Sequence, residues 1–415
     1  MKTSSILKSI FISGTILAVS PAMAGDSLES MLTDGNFFGE ARYRYEFVDQ
    51  DGIAKDANAS TMRVNLGFKT GEYKNFQALV EGQLVRNIGS DDFNDSVNNK
   101  TEFPTVADPD VEEINELWVS YNGLANTSVK VGRQKVNIDN QRFVGTVGWR
   151  QNDQTFDAFS ISHSGIQNLD LLYSYIGNVN RIQGDDHTLG DLDTKTHVAH
   201  ATYAAADWMD ITAYGYWLDI ERLAARSSKT YGVRLTGDLP VNQDWTFFYE
   251  VEAASQSEHG NNTTNYSENY YHVAPGIKGH GFSAKIGYEE LGGNGTSAFQ
   301  TPLATSHKFN GWADKFLNTP ASGLEDTYLS ASYKVSKTDS VLDGAKLTAT
   351  YHDFEGDSGG NYGTELDLSV GKAFTLSNTG PIEKVKVLLK YADYEAEDAS
   401  YTDTQKVWLQ VGASF

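Results

Sequence analysis

Cysteine is absent from the 415 residues, which removes disulfide frameworks, thiolate zinc sites and cysteine nucleophiles together. The absence suits a chain that must cross an oxidising compartment, where stray thiols would form wrong disulfides. Basic residues are scarce: 33 Lys+Arg stand against 55 Asp+Glu, a net charge of −22. That balance excludes nucleic acid as a partner, because its binding needs a basic stripe that displaces phosphate counterions. Past the first two dozen residues there is no apolar run of 18 or more, so no bilayer-spanning helix is expected in the mature chain.

What is present begins with a leader. Lys2 and Lys8 precede an apolar run from Ile10 to Val19, followed by Ala22-Met23-Ala24 with small residues at both recognition positions. Residues 1–24 read as a secretory signal peptide, its apolar stretch too short to span a membrane. Cleavage after Ala24 removes two lysines and moves the net charge from −22 to −24. Residues 25–37 are expected to form a short periplasmic segment with a helical turn or two between Ser27 and Asp34. The remainder, 38–415, carries a different pattern.

That pattern has a period of two. In Glu40 to Val48 the charged Glu40, Arg42, Arg44 and Glu46 alternate with Ala41, Tyr43, Tyr45 and Phe47. A strand sends successive side chains to opposite faces, so the segment separates an ionic surface from an aromatic one. The same alternation recurs in 62–69, 230–236, 282–289, 365–370, 385–391 and 406–415. It predicts 18 strands, from 38–48 to 405–415. Connections alternate in length, with long ones at 89–111, 137–153, 180–194, 256–268 and 291–324. Strands of about ten residues joined alternately by long and short connections indicate a transmembrane antiparallel β-barrel, with long external loops and short periplasmic turns. The fold class is therefore all-β, and the location the bacterial outer membrane, with lipid and lipopolysaccharide as surroundings. Aromatic residues make up 12% of the chain, as expected where rings gather at both membrane interfaces. Eighteen strands enclose a lumen too wide for side chains to fill, which implies a water-filled channel.

Three local motifs are weighed against plainer readings. Gly356-Asp357-Ser358-Gly359-Gly360 spells the nucleophile motif of trypsin-like proteases, but it sits among turn residues with no matching His segment, and reads as a loop tip. His197 and His200, three apart on a strand, face opposite sides and cannot share a metal. The loop 89–111 carries Asp91, Asp92, Asp95, Glu102, Asp108 and Asp110 against Lys100. It is expected to be a solvated external loop, with divalent-cation binding beside lipopolysaccharide as a weaker option. No cofactor is implied. The inward rows are predicted to hold twelve bases (Arg42, Arg44, Arg63, Lys69, Lys130, Arg234, Lys285, Lys334, Lys346, Lys386, Lys390, Lys406). Ten acids share them: Glu40, Glu46, Glu81, Glu116, Asp170, Glu250, Glu252, Glu289, Glu365 and Asp367. Lumen charges set which solutes pass.

The segment Gly132-Arg133-Gln134 through Asn140-Gln141-Arg142-Phe143-Val144-Gly145 to Trp149-Arg150-Gln151 and Thr155-Phe156-Asp157-Ala158 resembles the alginate-export family of outer-membrane proteins. The opening Arg42-Tyr43-Arg44-Tyr45-Glu46 is similar to that family's first strand. The resemblance implies an 18-stranded barrel and a pore role for Arg42, Arg44, Arg133, Arg142 and Arg150. Alginate specificity does not carry over, because the predicted lumen mixes lysines with acids in place of a dense arginine belt. Three functions stay open. The first is a porin-like channel for passive diffusion of small hydrophilic solutes, with anions or acidic oligosaccharides expected. The second is an export conduit for an anionic polysaccharide, and the third a barrel-embedded hydrolase. The loop 137–153 holds Ile138, Phe143, Val144, Val147 and Trp149, whose burial is favourable at about 25 cal/mol per Å². It is therefore expected to fold into the mouth and set a constriction. There Arg142 and Arg150 would face water opposite Arg42, Arg44 and Arg63, and would pair with Glu81, Glu116 or Asp157.

Overall fold

Alternation along the chain becomes eighteen antiparallel strands in a computed structural model, which describes residues 27–336, 340–376 and 380–415. The leader read at residues 1–24 lies outside the described residues. First comes a short helix, α1 (Leu28–Thr33), started by Ser27, whose side chain accepts the Ser30 N–H. The strands follow as β1 (Asn36–Gln50), β2 (Ala57–Lys69), β3 (Phe76–Asp92), β4 (Val111–Leu124), β5 (Thr127–Gln134) and β6 (Thr155–Ile166). Next are β7 (Leu169–Asn180), β8 (Asp191–Ala206), β9 (Met209–Leu218), β10 (Ser228–Pro240), β11 (Trp245–Glu258) and β12 (Ser267–Gly279). The chain ends with β13 (Phe282–Leu291), β14 (Leu324–Lys334), β15 (Lys346–Glu355), β16 (Asn361–Thr375), β17 (Lys384–Ala396) and β18 (Thr404–Ser414).

Each strand pairs with its neighbours in sequence, and β1 also pairs with β18. Closure satisfies the backbone groups that hydrocarbon cannot, and it leaves no sheet edge to recruit another chain. Tight turns such as His280-Gly281, both with positive φ, join strands at one end; two such residues give a hairpin twist that matches the strands. At the other end lie the long connections 93–110, 135–154 and 292–323, although two connections there, 51–56 and 356–360, are short. The end with the tight turns, α1 and Phe415 is taken as periplasmic.

Register sorts the side chains. Leu66, Val131 and Leu329 are 58%, 53% and 59% exposed and belong to an apolar outer belt that faces lipid. On the inner face, Arg42 lies across from Arg63, Arg234 across from Glu252, and Glu46 across from Trp408. Every base and acid expected inside shares that parity. Two candidates do not. Arg133 pairs with Leu117 in the β4–β5 register and with Asp157 in the β5–β6 register, in the same outward row as Leu117, Val131 and Phe159. Lys130 and Gln134 point inward, so Arg133, three residues from one and one from the other, must point out. Arg133 and Asp157 form a 2.8 Å ion pair on the outer face and do not line the pore.

The main apolar cluster lies inside the barrel. It joins inward wall residues such as Phe156, Tyr214, Tyr270, Phe354 and Trp408 to loop residues Val136, Ile138, Val144, Phe299, Leu303 and Phe316. Long loops are thus folded inward, and their apolar residues leave water by packing on the wall.

Candidate functional site

Loop 135–154 circles the inner wall. Lys135 meets Glu81 on β3 and Glu116 on β4 at 3.4 and 3.6 Å. Asp139 then accepts from His200 on β8 at 2.9 Å and lies 3.7 Å from Arg234 on β10. Asn140 donates to Glu250 on β11. The ring of Phe143 packs among Tyr214, Tyr216, Tyr270 and Phe299. Arg142 reaches Glu289 on β13 at 2.9 Å and stacks on Phe309. Trp149 stacks on His307, with Arg44 and Lys390 over its ring at 4.1 and 4.0 Å. Arg150 pairs with Glu46 on β1 and Asp314, both at 3.1 Å. Gln151 bonds Arg42 and Thr61, and Asn152 accepts from Gln83. Asp153 closes the circuit on Arg63 and on Lys135.

Loop 292–323 fills the sector that this circuit leaves. Asn310 donates to Asp326 on β14, the Ala313 N–H to Glu365 on β16, and Phe316 packs on Phe354 of β15. A bridge between Val144 and Leu303 ties the two loops together. Gly145 is needed for that contact: a β-carbon there would collide with the Thr305 hydroxyl and Gln141. Its role is close approach, not the backbone freedom of an inward bend; the positive φ values fall on Asp139, Gln141 and Val147 instead. Val147 is the costly one, since β-branched residues rarely adopt that conformation.

The arginines sit differently from their expected places. Arg42, Arg44, Arg63, Arg142 and Arg150 are 6%, 0%, 5%, 3% and 7% exposed, so they do not face each other across open water. Arg42 donates to Gln151 and to the carbonyls of Gly148 and Arg150, and Arg44 to the Trp149 carbonyl. Wall arginines therefore hold the loop by its backbone. The acids that pair Arg142 and Arg150 are Glu289, Glu46, Asp108 and Asp314, not Glu81, Glu116 or Asp157. The reason is reach and cost: a buried guanidinium left unpaired is expensive, so each takes the nearest carboxylates. Glu81 and Glu116 are already engaged by Lys135.

Electrostatics follows the same arrangement. Burial alone would depress the Arg150 guanidinium, but Glu46, Asp108 and Asp314 hold it above its usual range. Asp314 is likewise held well below the ordinary carboxylate range, as His307, Lys406 and Arg150 outweigh its burial. His307 is pushed down to about 3, chiefly by burial and also by Lys390. Its Nδ1 lies 2.7 Å from Asp314 and its Nε2 accepts from the Lys390 ammonium at 2.7 Å. That network fits the neutral Nδ1–H tautomer.

Water still reaches a different set. In this layer Lys135 keeps 30% of its side-chain surface exposed, Glu250 20%, Asp139 16%, and Arg234 and Glu116 14% each. Lys135 and Asp139 were missed as site residues although both stand in the quoted segment. Asp108 was placed in a solvated loop, yet it is 2% exposed and pairs with Arg44, because Phe93 and Val106 tuck that loop inward. Its other acids act locally: Asp91 pairs with Lys100 and Glu102 with Lys55. Apolar residues in loop 292–323 (Phe299, Leu303, Phe309, Trp312, Phe316) were the signal that would have marked it as a second inward loop. Glu250, Glu252 and His272 come close enough to hold a metal ion, but Arg234, with Nε 3.0 Å from Glu250 and 3.6 Å from Glu252, already supplies the positive charge. Ser358 donates to the Gly293 carbonyl at 2.8 Å and pins the tip of one loop to the other. His197 lies beside Tyr173 and Tyr175 on the outer face while His200 points in.

Comparison with known proteins agrees with the barrel fold. A family model described as "Alginate export" matches residues 34–293. None of the curated proteins matches the sequence. Among solved structures, Pseudomonas aeruginosa OpdQ superposes with a TM-score of 0.72 at 15% identity, covering 93% of this chain and 99% of that one. Acinetobacter baumannii OccAB2 gives 0.71 at 15% identity with coverages of 93% and 99%. P. aeruginosa OpdK, crystallised with vanillate, gives 0.71 at 13% identity with the same coverages. At these identities the likeness is one of fold.

Proposed function

The chain belongs to the alginate-export family of outer-membrane β-barrels, and from that premise we propose that it is a porin-like channel through which small hydrophilic solutes diffuse passively. The observation that carries the reading is a closed 18-stranded barrel, apolar outside and charged inside, narrowed by a loop that circles its inner wall. There is no bond chemistry to perform; passage depends on width, a polar wall and fixed charge.

Lys135 and Arg234 are among the cationic groups that a solute meets in the narrowed layer, beside Glu116, Asp139 and Glu250. A constriction of mixed sign sorts solutes by where their charges sit more than by net sign. Organic anions with a separate hydroxyl or amine fit it best, and vanillate, with which OpdK was crystallised, is an anion of that kind. The same observation disfavours a polysaccharide exporter, since the buried arginines are occupied by carboxylates and loop carbonyls and offer no free belt to a polyanion.

Planar-bilayer recordings test this. The wild type is expected to conduct, and Lys135→Gln with Arg234→Gln to shift the reversal potential in a salt gradient toward cation selectivity by several millivolts. No conductance would remove the channel reading. Unchanged selectivity would remove the role of these two residues.

A further inference from the structure

Below the inward loops, on the periplasmic side, the wall from β13 to β18 changes character. The three lowest inward positions on each of these six strands hold no Asp or Glu. They hold five lysines (Lys285, Lys334, Lys346, Lys384 and Lys386), hydroxyls and small residues, with Leu388 and Gln410 besides. Lys334 on β14 lies directly across from Lys346 on β15. Directly opposed like charges weaken a sheet, and a chain with 22 excess negative charges had acids to spare for that position. Next to Lys346 on β16 is Gly371, and next to Lys386 on β17 is Ala373. The floor between the two lysines is therefore made by Gly371 and Ala373, with the Leu388 side chain leaning over Gly371. A β-carbon on Gly371 would meet only Leu388 closely and the Val387 carbonyl at ordinary contact distance. Thr348 and Ser369, paired across β15 and β16, form the upper edge.

Both ends of this seat face water. Lys334, Lys346 and Lys386 are exposed on the inner face, while the alternating Tyr333, Leu347 and Val387 are exposed on the lipid face. Among the described residues no carboxylate lies within 4.0 Å of these three ammonium groups, whereas Lys278, lower on β12, is paired with Asp238 at 2.8 Å. Lys346 and Lys386 stand two strand spacings apart and are offset by two residues along the strands, about 11–12 Å between α-carbons, and flexible four-carbon stems can close on an anion between them.

We propose that this lysine seat at the periplasmic end of the lumen binds small multivalent anions, polycarboxylates or phosphate compounds, and makes the channel electrically asymmetric. The seat is separate from the constriction groups Lys135 and Arg234, and its sidedness rests on the channel reading. Multivalency follows from the geometry. A monovalent anion engages one ammonium at a time, while three lysines around a floor of small and apolar residues reward a ligand with two or three charged ends. Such attraction is electrostatic and weakens as salt rises.

The full-length barrel in detergent is titrated calorimetrically at low salt with citrate, with pyrophosphate and with acetate. Citrate or pyrophosphate is expected to bind at least ten-fold more tightly than acetate, and the tighter of the two identifies carboxylate or phosphate as the better-matched chemistry. Lys334→Gln, Lys346→Gln and Lys386→Gln together should weaken that binding at least ten-fold, while the three Lys→Arg changes should retain it. Binding no tighter than acetate, or equal binding by the Gln and Arg triples, overturns the proposal. If the Gln triple fails to fold, Lys346→Gln alone serves, with a three-fold loss expected and no loss overturning it. In oriented bilayers, citrate on the periplasmic side should block current at ten-fold lower concentration than on the external side, and equal block from both sides overturns the placement. A barrel that binds citrate but conducts nothing refutes the channel reading alone.

Discussion

Arg150 is the side chain on which both inward loops converge, and replacing it by Met isolates its charge from its bulk. Its guanidinium lies 3.1 Å from Glu46, 3.1 Å from Asp314 and 3.8 Å from Asp108, with all four side chains 8% exposed or less. Removing one member of a buried ionic cluster costs about 3–5 kcal/mol, because the remaining charges stay buried without compensation. Arg44 still pairs with Asp108 and Lys406 with Asp314, so the lower end, about 3 kcal/mol, applies; that is about a 150-fold change in an equilibrium. The wall strands keep their ladders, so the change falls on loop seating and not on the barrel. Hydrogen exchange followed by mass spectrometry should show protection of 135–154 and 292–323 reduced about 100-fold at pH 7, with β6 to β12 unchanged. Glu46→Gln added to Arg150→Met should recover part of it. Loop protection within three-fold of wild type would refute the claim that this cluster holds the loops in place.

Acid should loosen the same seat. The folded pKa of His307 lies near 3, below the free value of about 6.5, so the released loop binds more protons in that interval. Stability of the seat then falls as pH drops from about 6.5 toward 3, by about 2 kcal/mol at pH 5; Asp314, depressed in the seated state, adds to the loss only at lower pH. Exchange of 292–323 should accelerate between pH 7 and pH 5, and His307→Gln should flatten that dependence. Arg142→Ala with Arg150→Ala should raise single-channel conductance by freeing the loop from Glu289 and Glu46, and unchanged conductance at low salt would count the constriction out. Arg133→Leu with Asp157→Leu should leave conductance and selectivity unaltered in the same recordings, because the pair lies on the outer face.

How much of this was legible depends on the length scale of each signal. Strand number and the facing of Arg42, Glu46, Arg234 or Lys390 were readable because a period of two is local, and one slipped residue would put a charge into lipid. Arg133 shows the limit of borrowing a role from a resemblance: its parity with Lys130 already contradicted a pore position. The inward fold of 137–153 was legible from its apolar residues, since a loop in solvent gains nothing from Phe143 or Trp149. Loop 292–323 carries the same signal in Phe309, Trp312 and Phe316.

Partners were not legible, and the reason is topological. Arg150 meets Glu46 across 104 positions and Asp314 across 164, contacts that exist only once the sheet has closed and two loops have entered it. Alternation along the strands could show that the lumen holds nearly equal numbers of bases and acids, but not which of them reach water. Closure decides that. The long loops bring Asp108, Asp153 and Asp314 inside, these acids take up Arg44, Arg63 and Arg150, and what remains accessible includes Lys135 and Arg234 in the narrowed layer and the lysines below it. The solute-facing charge is therefore a residue of packing, set by which ion pairs the buried layer demands first.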